Sequence, residues 1–203
     1  MVPPFFIIMI ESKQVCLLLA LLFSIGLNAQ NFVKFSLLSD GTFSTKDKKT
    51  FIVVEYEGKT AQELYNMIKA NVLTSYNNAQ NVLKEIEPTN ITIRAVSNVL
   101  YSTYGFGSGF TEYAAKYTLV FQFKDGKIRV NAPEIDTDLI VNASGAPIPK
   151  TFISLIDGWF DKNGGVKKRK LENVSNIEFQ FNYIINYLLG NFKKREQPEE
   201  ENW

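Results

Sequence analysis

The strongest constraint on this chain is the stretch from Tyr113 to Phe123. There Tyr113, Ala115, Tyr117, Leu119, Phe121 and Phe123 alternate with more polar residues such as Lys116, Thr118 and Gln122. A period of two places successive side chains on opposite sides of an extended backbone, so this stretch reads as a strand with one buried face. Val120, on the opposite side, is a minor break in the pattern. Asp125-Gly126 supplies a tight turn, and Ile128, Val130 and Ala132 continue the apolar face on a return strand. Strands joined this way form an antiparallel sheet, whose apolar face needs a second layer to cover it.

The second layer is legible in two helices. Thr60-Ala61-Gln62-Glu63 is a capping box, in which the threonine hydroxyl accepts a backbone N–H and the glutamate reaches back to the cap. Leu64, Met67, Ile68 and Val72 then recur at helical spacing to about Ser75. Ser175-Asn176-Ile177-Glu178 is a second capping box, predicting a helix to about Leu189 with Gly190 placed to stop it. Thr50 to Tyr56 reads as a strand, Val82 to Glu87 as a short strand, and Asn90 to Tyr104 as a longer one, bulged near Ser97-Asn98. Pro133 to Lys150 reads as a strand end and loop, and Thr151 to Phe160 as a short helix or an apolar segment over the sheet. The expected architecture is α+β: a two-layer sandwich in the order β-α-β-β-β-β-α, with both helices on one face of an antiparallel sheet. An aromatic content of 13% suits such a sheet-rich core.

The beginning of the chain reads as a secretory leader. Lys13 precedes the 13-residue apolar run Val15 to Leu27, and Leu27-Asn28-Ala29 offers small residues for cleavage near Ala29/Gln30. The run is short for a membrane span, so no transmembrane span is expected in the mature chain. Met9 is a second candidate start. The expected divisions are a signal peptide over 1–29, a loosely ordered lead-in over 30–49, a single domain over 50–192 and a charged, disordered tail over 193–203. The expected location is the periplasm or the outer surface.

Several chemistries are excluded by what the chain lacks. There is no histidine, and the only cysteine, Cys16, lies inside the leader. A mature chain without imidazole or thiol has no thiolate nucleophile, disulfide or Cys/His zinc site. A net charge of +1 supplies no field to gather nucleic acid, so no nucleic-acid partner is expected. No cofactor motif is present, and no catalytic or metal-ligating residue is assigned. In Gly105 to Phe110 the dinucleotide-binding glycine spacing fails at its last position, and a strand follows where a helix would be needed. Tyr101, Tyr104, Phe106 and Phe110 are candidates for an aromatic lip contacting a sugar or peptide. Glu134, Asp136 and Asp138 alternate along one extended segment and form a candidate acidic cluster for Ca²⁺ or for acid/base work on a glycoside. Lys167 to Lys170 form a basic run that offsets Glu196 and Glu199 to Glu201.

Two segments, Gly58-Lys59-Thr60-Ala61-Gln62-Glu63-Leu64-Tyr65 and Phe123-Lys124-Asp125-Gly126-Lys127-Ile128-Arg129, with the leader ending Asn28-Ala29-Gln30, carry a resemblance. The chain resembles a family of exported Bacteroidetes proteins of unknown function with a TATA-binding-protein-like (TBP-like) fold, over roughly Thr50 to Phe192. The resemblance implies the fold and carries no catalytic residue. The function expected is a non-catalytic binding or scaffolding module of the envelope, with an envelope protein, peptide or glycan as partner. The alternatives are a carboxylate-based hydrolase acting on glycans and an inhibitor of a secreted enzyme.

Overall fold

In a computed structural model, residues 32–104, 110–143 and 150–192 are described. In chain order, β1 (Ser36–Leu37) and β2 (Phe43–Ser44) form a small antiparallel pair. There follow β3 (Phe51–Glu55), α1 (Ala61–Ser75), the single turn α2 (Ala79–Val82), β4 (Leu83–Ile86), β5 (Asn90–Val96) and β6 (Tyr101–Tyr104). Next come β7 (Phe110–Lys124), β8 (Lys127–Asn131), β9 (Glu134–Ala143) and α3 (Phe152–Ile156). A 3₁₀ turn at Lys168–Lys170 leads into α4 (Leu171–Leu188).

The period-two stretch is the centre of a seven-stranded antiparallel sheet. At 15 residues β7 is long enough to carry two partners on each edge. One edge pairs first with β9 and then with β8; the other pairs with β6 and then with β5. β3 extends the sheet beyond β8, and β4 extends it beyond β5. Tyr113, Ala115, Tyr117, Leu119, Phe121 and Phe123 are all buried, as their spacing requires. Both long helices lie on their side: Tyr65 of α1 packs edge-on to Phe123 at 5.8 Å, and Phe181 of α4 packs edge-on to Tyr117 at 5.4 Å. This is the expected α+β arrangement, with α1 and α4 together on one face.

The capping box at Thr60 forms as read, with Thr60 accepting from the Glu63 N–H and Glu63 accepting from the Thr60 N–H. The turn between β7 and β8 completes this helix start. The Asp125 carboxylate accepts the Ala61 N–H at 2.8 Å, and the Gly126 N–H donates to the Lys59 carbonyl at 2.7 Å. Gly126 sits at φ 75°, where a side chain would be strained. The two segments that carried the family resemblance therefore meet in space as one junction of hairpin and helix.

Four expectations need correction. The lead-in is not loosely held: in residues 32–49, Val33, Phe35, Leu37 and Phe43 are buried in the main core. The physical reason is a ladder of side chains on α4, one turn apart. Asn186 Oδ1 accepts the Val33 N–H at 2.9 Å and Asn186 Nδ2 donates to the Val33 carbonyl at 2.7 Å. Asn182 does the same for Phe35, at 2.8 Å in both directions, and Glu178 accepts the Leu37 N–H at 2.8 Å. Extended backbone that would otherwise bury unpaired polar groups is thus satisfied residue by residue. The second helix starts earlier than its capping box, at Leu171, because the 3₁₀ turn feeds directly into it and Val174 is buried. The stretch 90–104 breaks into β5 and β6. Residues 134–143 form a ten-residue strand, because the far half of β7 leaves an edge free to pair. The expected leader, glycine-rich loop and tail lie wholly or largely outside the described residues.

Candidate functional site

Because α1 and α4 lie on one face, the alternate residues of every strand point away from them. On that second face the register sets Phe51, Val53 and Glu55 of β3 beside Asn131, Arg129 and Lys127 of β8. Gln122 and Lys124 of β7 stand next to Arg129 and Lys127, with Asn90, Thr92, Arg94 and Val96 of β5 on the far side. The face is open, as its large apolar side chains show: Ile86 is 68% exposed, Val96 49%, Ile140 47% and Val53 42%. Burial of such groups is favourable by roughly 25 cal/mol per Å², so an uncovered set on one surface is an interaction surface in waiting.

One end of this face is a depression of 560 Å³ bordered by Phe51, Val53, Gln122, Lys124, Lys127 and Arg129. The Arg129 guanidinium lies 4.0 Å from the centroid of the Phe51 ring, a cation–π contact that holds the cation over the apolar floor. Among the described residues none of Lys124, Lys127 and Arg129 forms an ion pair; the one ion pair there is Lys69–Glu85. Three cations outside any ion pair, with Glu55 across from Lys127, stand beside two apolar side chains and suit a ligand with a carboxylate or similar anion next to an apolar group.

Residues 51–137 match the family described as a domain of unknown function (DUF4468) with TBP-like fold. This segment is a DUF4468 domain. It contains both segments on which the resemblance rested, and it ends within β9, short of the expected Phe192. No curated protein matches the chain. Among solved structures, a TBP-like protein from Parabacteroides distasonis is similar, at 13% identity and a TM-score of 0.43, over 68% of this chain and 90% of that one. A DUF4468 family protein from Bacteroides ovatus is similar at 11% identity and a TM-score of 0.46, over 77% of this chain and 91% of that one.

Within the DUF4468 domain and its surroundings the strands separate two members of the expected aromatic lip, Tyr101 and Phe110. Tyr101 pairs in register with Tyr113 on the helix-covered side, where its ring meets Trp159 at 5.1 Å. Phe110 falls on the opposite side by alternation, so the two rings cannot share a surface. Tyr104 pairs with Phe110 in register, and Phe106 lies outside the described residues. The carboxylates fare no better. Glu134, Asp136 and Asp138 are exposed, and the pairing of β9 shifts register between Ile135 and Leu139, opposite Ala115–Tyr117. Among the described residues no three acidic side chains gather closely enough to hold a metal ion. Asp157 and Asp161 border one shallow surface depression, but Asp161 is committed to its own turn, accepting the Asn163 and Gly165 N–H groups. Among the described residues no helix is long and apolar enough to cross a membrane.

Sequence reasoning named Lys124, Lys127 and Arg129 only as part of a hairpin. What it lacked was the register, which alone places them next to Phe51 and Val53.

Proposed function

We propose that this chain is an exported, non-catalytic binding or scaffolding module of the cell envelope, and that it engages its partner through the open face of the sheet. The observation that carries the reading is the unpaired set Lys124, Lys127 and Arg129 around exposed Val53 and half-buried Phe51. The partner chemistry that fits is an acidic peptide segment with apolar side chains: its carboxylates meet the cations and its apolar groups cover Phe51 and Val53. The leader read over 1–29 supports export.

The test uses the double variant Lys127→Glu with Arg129→Glu, both exposed positions whose change leaves the core untouched. In envelope extract the tagged wild-type protein is expected to elute with a partner at larger size, and the variant to elute alone. Equal elution of the two would overturn the open-face reading. Intact mass of the same preparation reads export: loss of residues 1–29 is expected, and a retained leader would contradict it.

A further inference from the structure

Where the end of α1, the turn between β5 and β6 and the middle of α4 meet, the molecule leaves a cavity of 340 Å³. Tyr117 reaches it from the covered side of the sheet, and Tyr76, the residue that ends α1, forms an adjoining wall. Their phenol oxygens lie 3.1 Å apart. Two phenols carry two O–H protons, and only one proton can lie between the two oxygens. The other has no partner among the described residues. Desolvation raises the pKa of both phenols, so both stay protonated and the pair keeps a donor to offer.

The acceptors are also in place. Gln180 commits its Nε2 to the Leu100 carbonyl at 3.1 Å, and its carbonyl oxygen has no partner among the described residues. Asn77 and Asn98 stand exposed at the mouth, with side-chain amides that bond to no described residue. The lining contains no charged side chain. A charged ligand would lose its hydration there and gain no counter-charge, which costs several kcal/mol. A neutral ligand with hydroxyls to pair and an apolar face to lay against Val99 and Ile184 meets every feature.

We propose that this cavity binds a neutral saccharide unit. The volume lies at the small end of the range for ligand sites, about 300–1,000 Å³, which sets the occupant at one or two sugar rings. The free phenol proton donates to a ring hydroxyl or ring oxygen. The Gln180 carbonyl accepts from a second hydroxyl, and the rim amides take those nearest solvent. The proposal stands apart from the open-face reading and holds or fails without it.

The test is a titration of the purified full chain with glucose, galactose and N-acetylglucosamine, followed by the NMR signals of Tyr76 and Tyr117. Glucuronate and glucosamine, titrated at about pH 6 so that the amine is protonated, serve as charged counterparts. Neutral sugars are expected to shift those signals with a Kd of about 1 mM, and the charged ones to bind at least about tenfold more weakly. Tyr76→Phe combined with Tyr117→Phe keeps both rings and is expected to weaken binding about tenfold. If that variant fails to fold, Asn98→Ala at the exposed rim gives the reading, with a smaller loss expected. No shift with any neutral sugar would overturn the proposal. Binding of a charged counterpart as tightly as its neutral parent would do the same, and so would unchanged affinity in every variant that folds.

Discussion

Replacing Asn186 by alanine is expected to destabilise the protein by about 3–5 kcal/mol, a large share of a typical domain stability of about 5–15 kcal/mol. The residue is buried and its amide has four partners. It accepts from the Val33 N–H and from Asn191, and it donates to the Val33 and Asn182 carbonyls. Alanine would leave the backbone of Val33 buried without partners, at about 1–3 kcal/mol per orphaned group. At roughly 2–4 °C per kcal/mol for a chain of this size, the melting temperature should fall by about 6–20 °C. A fall of less than about 3 °C would mean that residues 32–37 are not held on α4. Glu178→Gln is the contrast, since glutamine still accepts from the Leu37 N–H. Burial raises the Glu178 pKa, opposed by the Leu37 hydrogen bond and by Lys34. The folded pKa thus exceeds the unfolded one. The wild type has this contribution in full below the ordinary glutamate range and loses it as pH rises through the raised value. The glutamine variant should lack that loss, so it gains on the wild type as pH rises toward neutrality.

Phe121→Ala is expected to cost about 3–5 kcal/mol for a different reason. Phe121 is fully buried at the centre of β7, opposite Ile91 on one side and Val130 on the other. Removing its ring opens a cavity between the sheet and the helices that none of these neighbours can fill without bending the strand. Val120→Ala, one residue away but on the open face, should cost less than about 1.5 kcal/mol, because it leaves no enclosed void. Denaturant unfolding of the two variants checks the pair. Comparable losses would mean that the second face is covered in solution.

What the sequence revealed and what it hid follow the range of each signal. The hairpin of β7 and β8 and the capping box of α1 were legible because each is written within a dozen residues, as a period, a turn and a cap. The ladder was not. Asn182 and Asn186 look like ordinary solvated helix residues, and their partners lie 147 and 153 residues away. A trace existed nonetheless. Glu178, Asn182 and Asn186 recur every four residues, and Val33, Phe35 and Leu37 alternate like a buried strand. The segment from Pro133 read as a strand end and loop, because its charged start hides the length of a ten-residue strand that exists only because β7 offers it an edge. The candidate site suffered most. Tyr101 and Phe110 were grouped by nearness in sequence, and pairing put them on opposite faces. Phe51 and Arg129 stand 78 positions apart and meet only once β3 pairs with β8.

The most direct measurement of the central claim, that the open sheet face is the binding surface, is hydroxyl-radical footprinting of the chain, first purified and then in envelope extract. In purified protein, Phe51, Val53, Ile86, Val96 and Ile140 should be oxidised, together with Leu73, Phe179 and Tyr183 on the exposed sides of α1 and α4. In the extract, the account predicts protection of Phe51 and Val53, with neighbouring open-face side chains following, while Leu73, Phe179 and Tyr183 keep their reactivity. Unchanged oxidation of Phe51 and Val53 alongside protection of Phe179 and Tyr183 would contradict it and move the binding surface to the helix side.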